Sequence, residues 1–235
     1  MGDQQDGSDS LAVEVAPQSH WPEMQALICV VSDLKKGTPS TAGMQRTVAT
    51  SPLLQARIQG VPDRMERISK AIQAKDFNTF AEITMQDSNQ FHACCLDTSP
   101  PIFYMNDVSR SIIQLVTELN RASVEAGKGL VAAYTYDAGP NAVIYALEEN
   151  MKSIVELVNT YFPQKSFNDR FGLYGGGDVQ IAKAEIMQGF KKDSMPVWPE
   201  GSVKEFIHTA VGDGPRTLGQ EESLCDAKGM PKFVR

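Results

Sequence analysis

Apolar residues first form an uninterrupted run at Ala26-Leu27-Ile28-Cys29-Val30-Val31, which predicts a strand buried on both faces. A polar loop follows over 32–41, then a helix over 42–50. Ser51-Pro52 restarts a helical segment with proline tolerated in its first turn. Val61-Pro62 is read as opening another helix, in which Met65, Ile68 and Ile72 share one face. Residues 77–95 form a further helix with Phe80, Thr84 and Phe91 roughly in line. The Ser99-Pro100-Pro101 stretch breaks the chain. Val108, Ile112, Leu115, Val116 and Leu119 then trace an amphipathic stripe capped by Asn106 or Asp107 and ended by Gly127-Lys128-Gly129.

The period then changes. Two strands, 130–136 and 142–147, are joined by the turn Asp137-Ala138-Gly139-Pro140-Asn141. A helix over 149–161 buries Met151, Ile154, Val155 and Val158. Residues 163–200 are irregular, and a strand over 203–211 precedes a loop-rich tail. This order predicts an α+β two-layer domain, a small mostly antiparallel sheet packed with helices. The expected divisions are 1–22 as a linker, 23–218 as the domain and 219–235 as the tail.

Charge narrows the function. The 235 residues carry a net charge of −7, and no Lys/Arg run exceeds a pair. A nucleic-acid binder needs a basic face to displace counterions, so that class is set aside. Cys29, Cys94, Cys95 and Cys225 form no CxxC pair, and His20, His92 and His208 have no metal-ligand spacing. No metal site and no disulfide framework is expected, and reduced thiols fit a cytoplasmic protein, with peroxisomal location as the variant. The longest apolar stretch is far short of a membrane span.

Two features could carry chemistry. Asp137 ends a strand and enters a turn containing Gly139 and Pro140, which would hold its carboxylate in one direction, as a positioning or general-base group requires. The same spacing suits an aspartate that only accepts hydrogen bonds within its turn. The loop from Lys35 to Met44 combines two lysines, three hydroxyls and a helix N-terminus, a set of donors for an anion. It lacks the P-loop pattern GxxxxGK[ST]. It reads equally as a solvated loop with Ser40 or Thr41 as N-cap.

Several strings resemble the diphosphomevalonate decarboxylase family of the GHMP kinase superfamily. They are Ala16-Pro-Gln-Ser-His-Trp-Pro-Glu23, the segment from Lys35 to Met44, Thr50-Ser-Pro-Leu-Leu54 and Thr84-Met-Gln-Asp-Ser-Asn-Gln-Phe-His92. Ala133-Tyr-Thr-Tyr-Asp137-Ala-Gly-Pro-Asn-Ala-Val143 is the most specific. The resemblance implies ATP-dependent conversion of (R)-5-diphosphomevalonate to isopentenyl diphosphate, CO2, ADP and phosphate, with Mg2+ as the counter-ion of ATP. It implies Asp137 as the catalytic residue against the 3-hydroxyl, and Ser40, Thr41 and Met44 as substrate-binding. It also implies Lys36 near the nucleotide phosphate, and a homodimer in the full-length form.

The same resemblance places the family's opening strand, its Ser-rich phosphate loop and a carboxylate-gripping arginine upstream of this sequence. The expectation is therefore a C-terminal portion, inactive by itself because phosphoryl transfer depends on positioning and charge neutralisation from both halves. The alternative is a non-catalytic truncated paralogue acting as a structural or dimerisation partner. A related mevalonate 3-kinase or monophosphate-specific decarboxylase is a third reading; Asp137 within its Ala-Gly-Pro-Asn turn weighs against the kinase.

Overall fold

The structure is a computed structural model describing residues 4, 6–32, 37–185, 188–215 and 217–232. Strand β1 (Met24–Val30) is followed by four helices, α1 (Ser40–Thr50), α2 (Pro52–Ala74), α3 (Phe77–Asp97) and α4 (Asp107–Glu125). Then come β2 (Ala133–Thr135), β3 (Ala142–Leu147), α5 (Glu148–Tyr161), β4 (Phe167–Asp169), β5 (Gly177–Val179) and β6 (Glu205–Ala210).

Strands β2, β3, β1 and β6 form one sheet in that spatial order, and every pairing is antiparallel. Register places Leu27 against Ile144 and His208, and Cys29 against Ala142 and Phe206. Because side chains alternate faces, these residues share one side of the sheet. There they meet the apolar faces of α4 and α5 in the main core. The expected α+β layering is present. In addition, Ala71 of α2 and Phe77, Phe80 and Ala81 of α3 cover part of the opposite face, packing with Trp21, Met24 and Ala133. The stripe anticipated on α4 is buried at each of its five positions. Burying aliphatic side chains of this size contributes roughly 1.5–3 kcal/mol apiece. Asn106 caps that helix in a reciprocal capping box with Ser109.

Four expectations change. Pro62 does not open a helix; α2 runs through it. Arg57 and Arg64 lie about two turns apart on one face, and both reach the Asp87 carboxylate on α3. That shared anchor holds both sides of the proline on one axis. Met65, expected at or near a core position, is 56% exposed.

Strand β2 is shorter than 130–136 because side chains take the place of ladder partners before it. Asn78 accepts the Leu130 amide, while Asn120 accepts those of Val131 and Ala132 and donates to the Ala132 carbonyl. The irregular region contains a hairpin, β4 with β5. Asp169, 1% exposed, holds its turn by accepting the amides of Leu173, Tyr174 and Gly176. Three-residue strands leave too little alternation for a sequence pattern to register.

Candidate active site

Asp137 lies two residues past the end of β2, and its turn is held from outside. Ser88 on α3 accepts the Tyr136 amide at 3.0 Å. The Tyr136 phenol donates to the Ser109 carbonyl at 2.9 Å, and the Ser109 hydroxyl donates to the Pro140 carbonyl at 2.8 Å. At the far end, Asn141 Oδ1 accepts the amides of Val31 and Ser32 at 2.8 and 3.0 Å. Gly139 is not among the glycines with positive φ. Direction therefore comes from α3, α4 and the end of β1 rather than from glycine's left-handed freedom.

The string leading to His92 supplies one of these supports, through Ser88, and several contacts around it. Asp87 pairs with Arg57 and Arg64, Ser88 with Tyr136, Asn89 with the Tyr134 phenol, and Gln90 with both arginines. Burial opposes ionisation of Asp87, but the guanidiniums of Arg57 and Arg64 outweigh it and hold the carboxyl below the usual range. His92 follows one turn later, buried against Phe91 and Tyr136. Burial keeps its ring neutral to lower pH than usual, although the nearby Tyr136 backbone and the charge of Asp137 favour the charged form.

Asp137 opens onto a cavity of about 440 Å³ between α1, α2 and α3. Ser40 and Met44 reach it from α1, Arg57 from α2, Cys94 and Cys95 from α3, and Tyr104 from the following loop. The structure thus brings together Asp137, Ser40 and Met44 of the predicted set. Thr41 is exposed on α1 and does not line the cavity, because adjacent helical residues point in different directions. Lys36 lies outside the described residues.

The N-cap of α1 is Pro39, not Ser40 or Thr41, and it makes no side-chain cap bond. Ser40 is instead the first helical residue, so its hydroxyl is not committed to capping, and the first-turn amides have no side-chain acceptor at the cap. Helix amides of this kind favour an anion. Gly43, buried beside Tyr104, keeps the wall thin: an added Cβ would collide with the Tyr104 hydroxyl.

The cavity's ionisable lining is polarised. Arg57 presents a guanidinium braced by the Asp87 carboxylate and carbonyl and by Gln90. Burial raises both neighbouring thiols, Cys95 to about 11, with Arg57 pulling the other way; at neutral pH they are apolar lining rather than nucleophiles. Tyr104 is raised chiefly by burial and by Cys95, Arg46 opposing. Asp137 and Arg57 are therefore the charged groups on the described wall. Arg57, Tyr104 and the cysteine pair were not singled out from sequence. The detectable signal was the two-turn spacing of Arg57 and Arg64, obscured by the proline between them.

A larger cavity of about 540 Å³ lies between α3 and α4, lined by residues such as Met85, Leu130 and Tyr134. None of the predicted residues lies there, and chemistry is assigned to the smaller one. None of the described helices is long and apolar enough to cross a membrane.

Comparison with known proteins agrees with this fold. The family model described as the mevalonate 5-diphosphate decarboxylase C-terminal domain matches residues 26–218. A diphosphomevalonate decarboxylase of Ganoderma lucidum is 62% identical over 234 residues, covering 99% of this chain and 58% of that protein. One from Schizosaccharomyces pombe is 48% identical, over 100% of this chain and 56% of its own length. Among solved structures, the mevalonate diphosphate decarboxylase of Trypanosoma brucei superposes with a TM-score of 0.80 at 34% identity, covering 95% of this chain and 58% of that one. Another mevalonate 5-diphosphate decarboxylase gives 0.75 at 42% identity, covering 97% and 57%. The chain spans a little over half the length of the relatives it matches. By the extent of these matches, the chain belongs to the mevalonate 5-diphosphate decarboxylase C-terminal domain family.

Proposed function

We propose that this chain supplies the aspartate-bearing wall of an ATP-dependent diphosphomevalonate decarboxylase, with its counterpart wall in the part of the relatives that it does not span. The observation that carries the reading is the meeting of Asp137 with Ser40 and Met44, distant from it in sequence, on one cavity. The reaction is phosphorylation of the 3-hydroxyl of (R)-5-diphosphomevalonate, then loss of phosphate and CO2 to give isopentenyl diphosphate.

Asp137 orients the tertiary hydroxyl and takes its proton late, as phosphoryl transfer proceeds. An ordinary carboxylate is too weak a base to ionise an alcohol beforehand, with a reference pKa of about 3.9. Its negative charge then favours the positive centre that develops as phosphate departs. Ser40 and the uncapped start of α1 suit a phosphate or carboxylate oxygen, and Met44 packs the hydrocarbon part of the substrate. Thr41 and Lys36 are assigned to the same anion-binding segment. ATP, with Mg2+ as counter-ion, supplies the phosphoryl group. A solved relative described as MDDEF in complex with MVAPP, AMPPCP and magnesium, 28% identical to this chain, supports that ligand set. The assembled form is assigned as a homodimer.

The test joins this chain to the part of the Ganoderma lucidum relative that it does not span and follows ADP and CO2 release. Asp137→Asn abolishes turnover while ATP affinity stays within about threefold, roughly 0.7 kcal/mol. Unchanged turnover would remove Asp137 from the mechanism. The chain by itself releases no ADP; catalysis by it alone would overturn the two-wall reading.

A further inference from the structure

We propose that Arg57 is a substrate-binding residue, its guanidinium holding an anionic group of the substrate in the cavity that Asp137 faces. This rests on the decarboxylase reading and adds a cation to the aspartate-bearing wall.

Arg57 stands where two cavities meet. It lines the one of about 440 Å³ with Asp137 and Ser40, and also one of about 330 Å³ that Arg64 lines from the same helix. Asp87 holds Arg57 by one edge of its fork: Nη1 lies 2.9 Å from Oδ1, and Nη2 donates to Oδ2 at 2.9 Å. Nη1 also donates to the Gln90 side chain at 3.0 Å and to the Asp87 carbonyl at 3.3 Å. The neighbouring edge, Nε–H with the outer N–H of Nη2, makes no hydrogen bond among the described residues. Nor is Nε one of the enclosed polar atoms that lack a partner, so a ligand can reach it. Two parallel donors of this kind match two oxygens of a carboxylate or a phosphate.

Pairing between helices does not by itself account for this arrangement. Arg57 and Arg64 share one carboxylate while their side chains are only 15% and 19% exposed. The cluster therefore holds one positive charge in excess, and a largely buried charge without an opposite partner is costly. An arriving anion offsets that cost. Asp137 does not, since among the described residues Arg57 forms an ion pair with Asp87 only. Met44, Val48, Leu54 and Phe91 line the same cavity, and apolar surroundings strengthen a charged hydrogen bond.

The joined enzyme of the preceding section tests the contact. Arg57→Gln should raise KM for diphosphomevalonate about tenfold or more and leave KM for ATP within about twofold. Arg64→Gln removes the other partner of Asp87 at a residue that does not line this cavity, and should leave both within about twofold. Equal increases in the two variants, or none in Arg57→Gln, would reduce Arg57 to a helix brace. Where Arg57→Gln does not fold, Arg57→Lys keeps the charge beside Asp87 without the two parallel donors. Its KM should be about threefold or more above wild type, and an unchanged value would overturn the contact. Isopentenyl diphosphate, which has the diphosphate and no carboxylate, identifies the anion as a competitive inhibitor. An inhibition constant that rises with KM in Arg57→Gln assigns the contact to the diphosphate, and a constant that stays while KM rises assigns it to the carboxylate; either supports the proposal. If the joined wild-type enzyme is inactive, the decarboxylase reading fails, while the chain itself still decides the contact. There the Arg57 Nε–H signal in nitrogen-15 NMR should shift with added inorganic pyrophosphate at constant ionic strength, and that of Arg64 should not. Equal shifts of both signals, or no shift of either, would overturn it.

Discussion

The Ser88 hydroxyl accepts the amide of Tyr136 at 3.0 Å, and through this bond α3 holds the strand end that presents Asp137. Both residues are buried, so no solvent molecule readily takes over when the bond is lost. Ser88→Ala is expected to destabilise the chain by about 1–3 kcal/mol, the cost of a buried donor left without a partner. Urea denaturation measures it. A loss under about 0.5 kcal/mol, the range of surface changes, would show that the turn does not depend on this bond.

Asn141 ties the other end of the turn to β1 through one oxygen that accepts two amides, from Val31 and Ser32. Asn141→Ala removes the acceptor and should cost about 1–3 kcal/mol. Asn141→Asp keeps an oxygen in place and should cost less. Equal losses for the two variants, by thermal or chemical melting, would mean that the amide's shape matters and its acceptor does not.

Asp87 is the common anchor of Arg57 and Arg64. Its carboxyl is below the usual range despite the opposing effect of burial. The pairing therefore stabilises the fold above the unfolded carboxylate pKa, and that contribution is lost as pH falls through the lower folded value. Asp87→Asn should lower stability at neutral pH and reduce its acid dependence. It should also let the segment of α2 before Pro62 exchange amide protons faster, since the proline already removes one helical hydrogen bond there. Hydrogen exchange confined to residues after Pro62 would contradict this role.

Glu118 offers a second acid-sensitive contact. The Arg121 guanidinium, foremost, and the Lys191 amide hold its carboxyl at about 2, against burial, which raises it. The contribution is complete above the unfolded value, near 4.5, and disappears as pH falls towards about 2. Glu118→Gln should leave a flatter stability profile between those limits and a smaller difference from wild type at the acid end than at pH 7. Parallel profiles for the two proteins would exclude Glu118 as a source of the acid loss.

Element types and order were legible because the apolar period changes cleanly between helices and strands. Val108, Ile112, Leu115, Val116 and Leu119 specify one helical face, and Ala26 to Val31 specify a central strand, whatever surrounds them. Asp137 was legible as a constrained carboxylate for the same local reason: a strand ends there and a proline turn begins. The sequence could not separate it from an ordinary turn residue, since the separating fact is the cavity that it faces. Ser40, Met44 and Arg57 come to that cavity from two other helices.

Local pattern also misplaced what depends on long-range partners. Pro62 should interrupt a helix, but Asp87, distant in sequence, holds arginines on both sides of it. Asn120 replaces the first bonds of β2, and Asp169 closes a hairpin too short to have a period. What the sequence by itself determined is the set of apolar faces and the rigid turn at Asp137, because these follow from neighbours a few residues apart. Only the tertiary structure decided the direction of that carboxylate and the residues sharing its cavity, because the bonds that aim it, from Ser88, Ser109 and the end of β1, form only once separate helices and strands have packed.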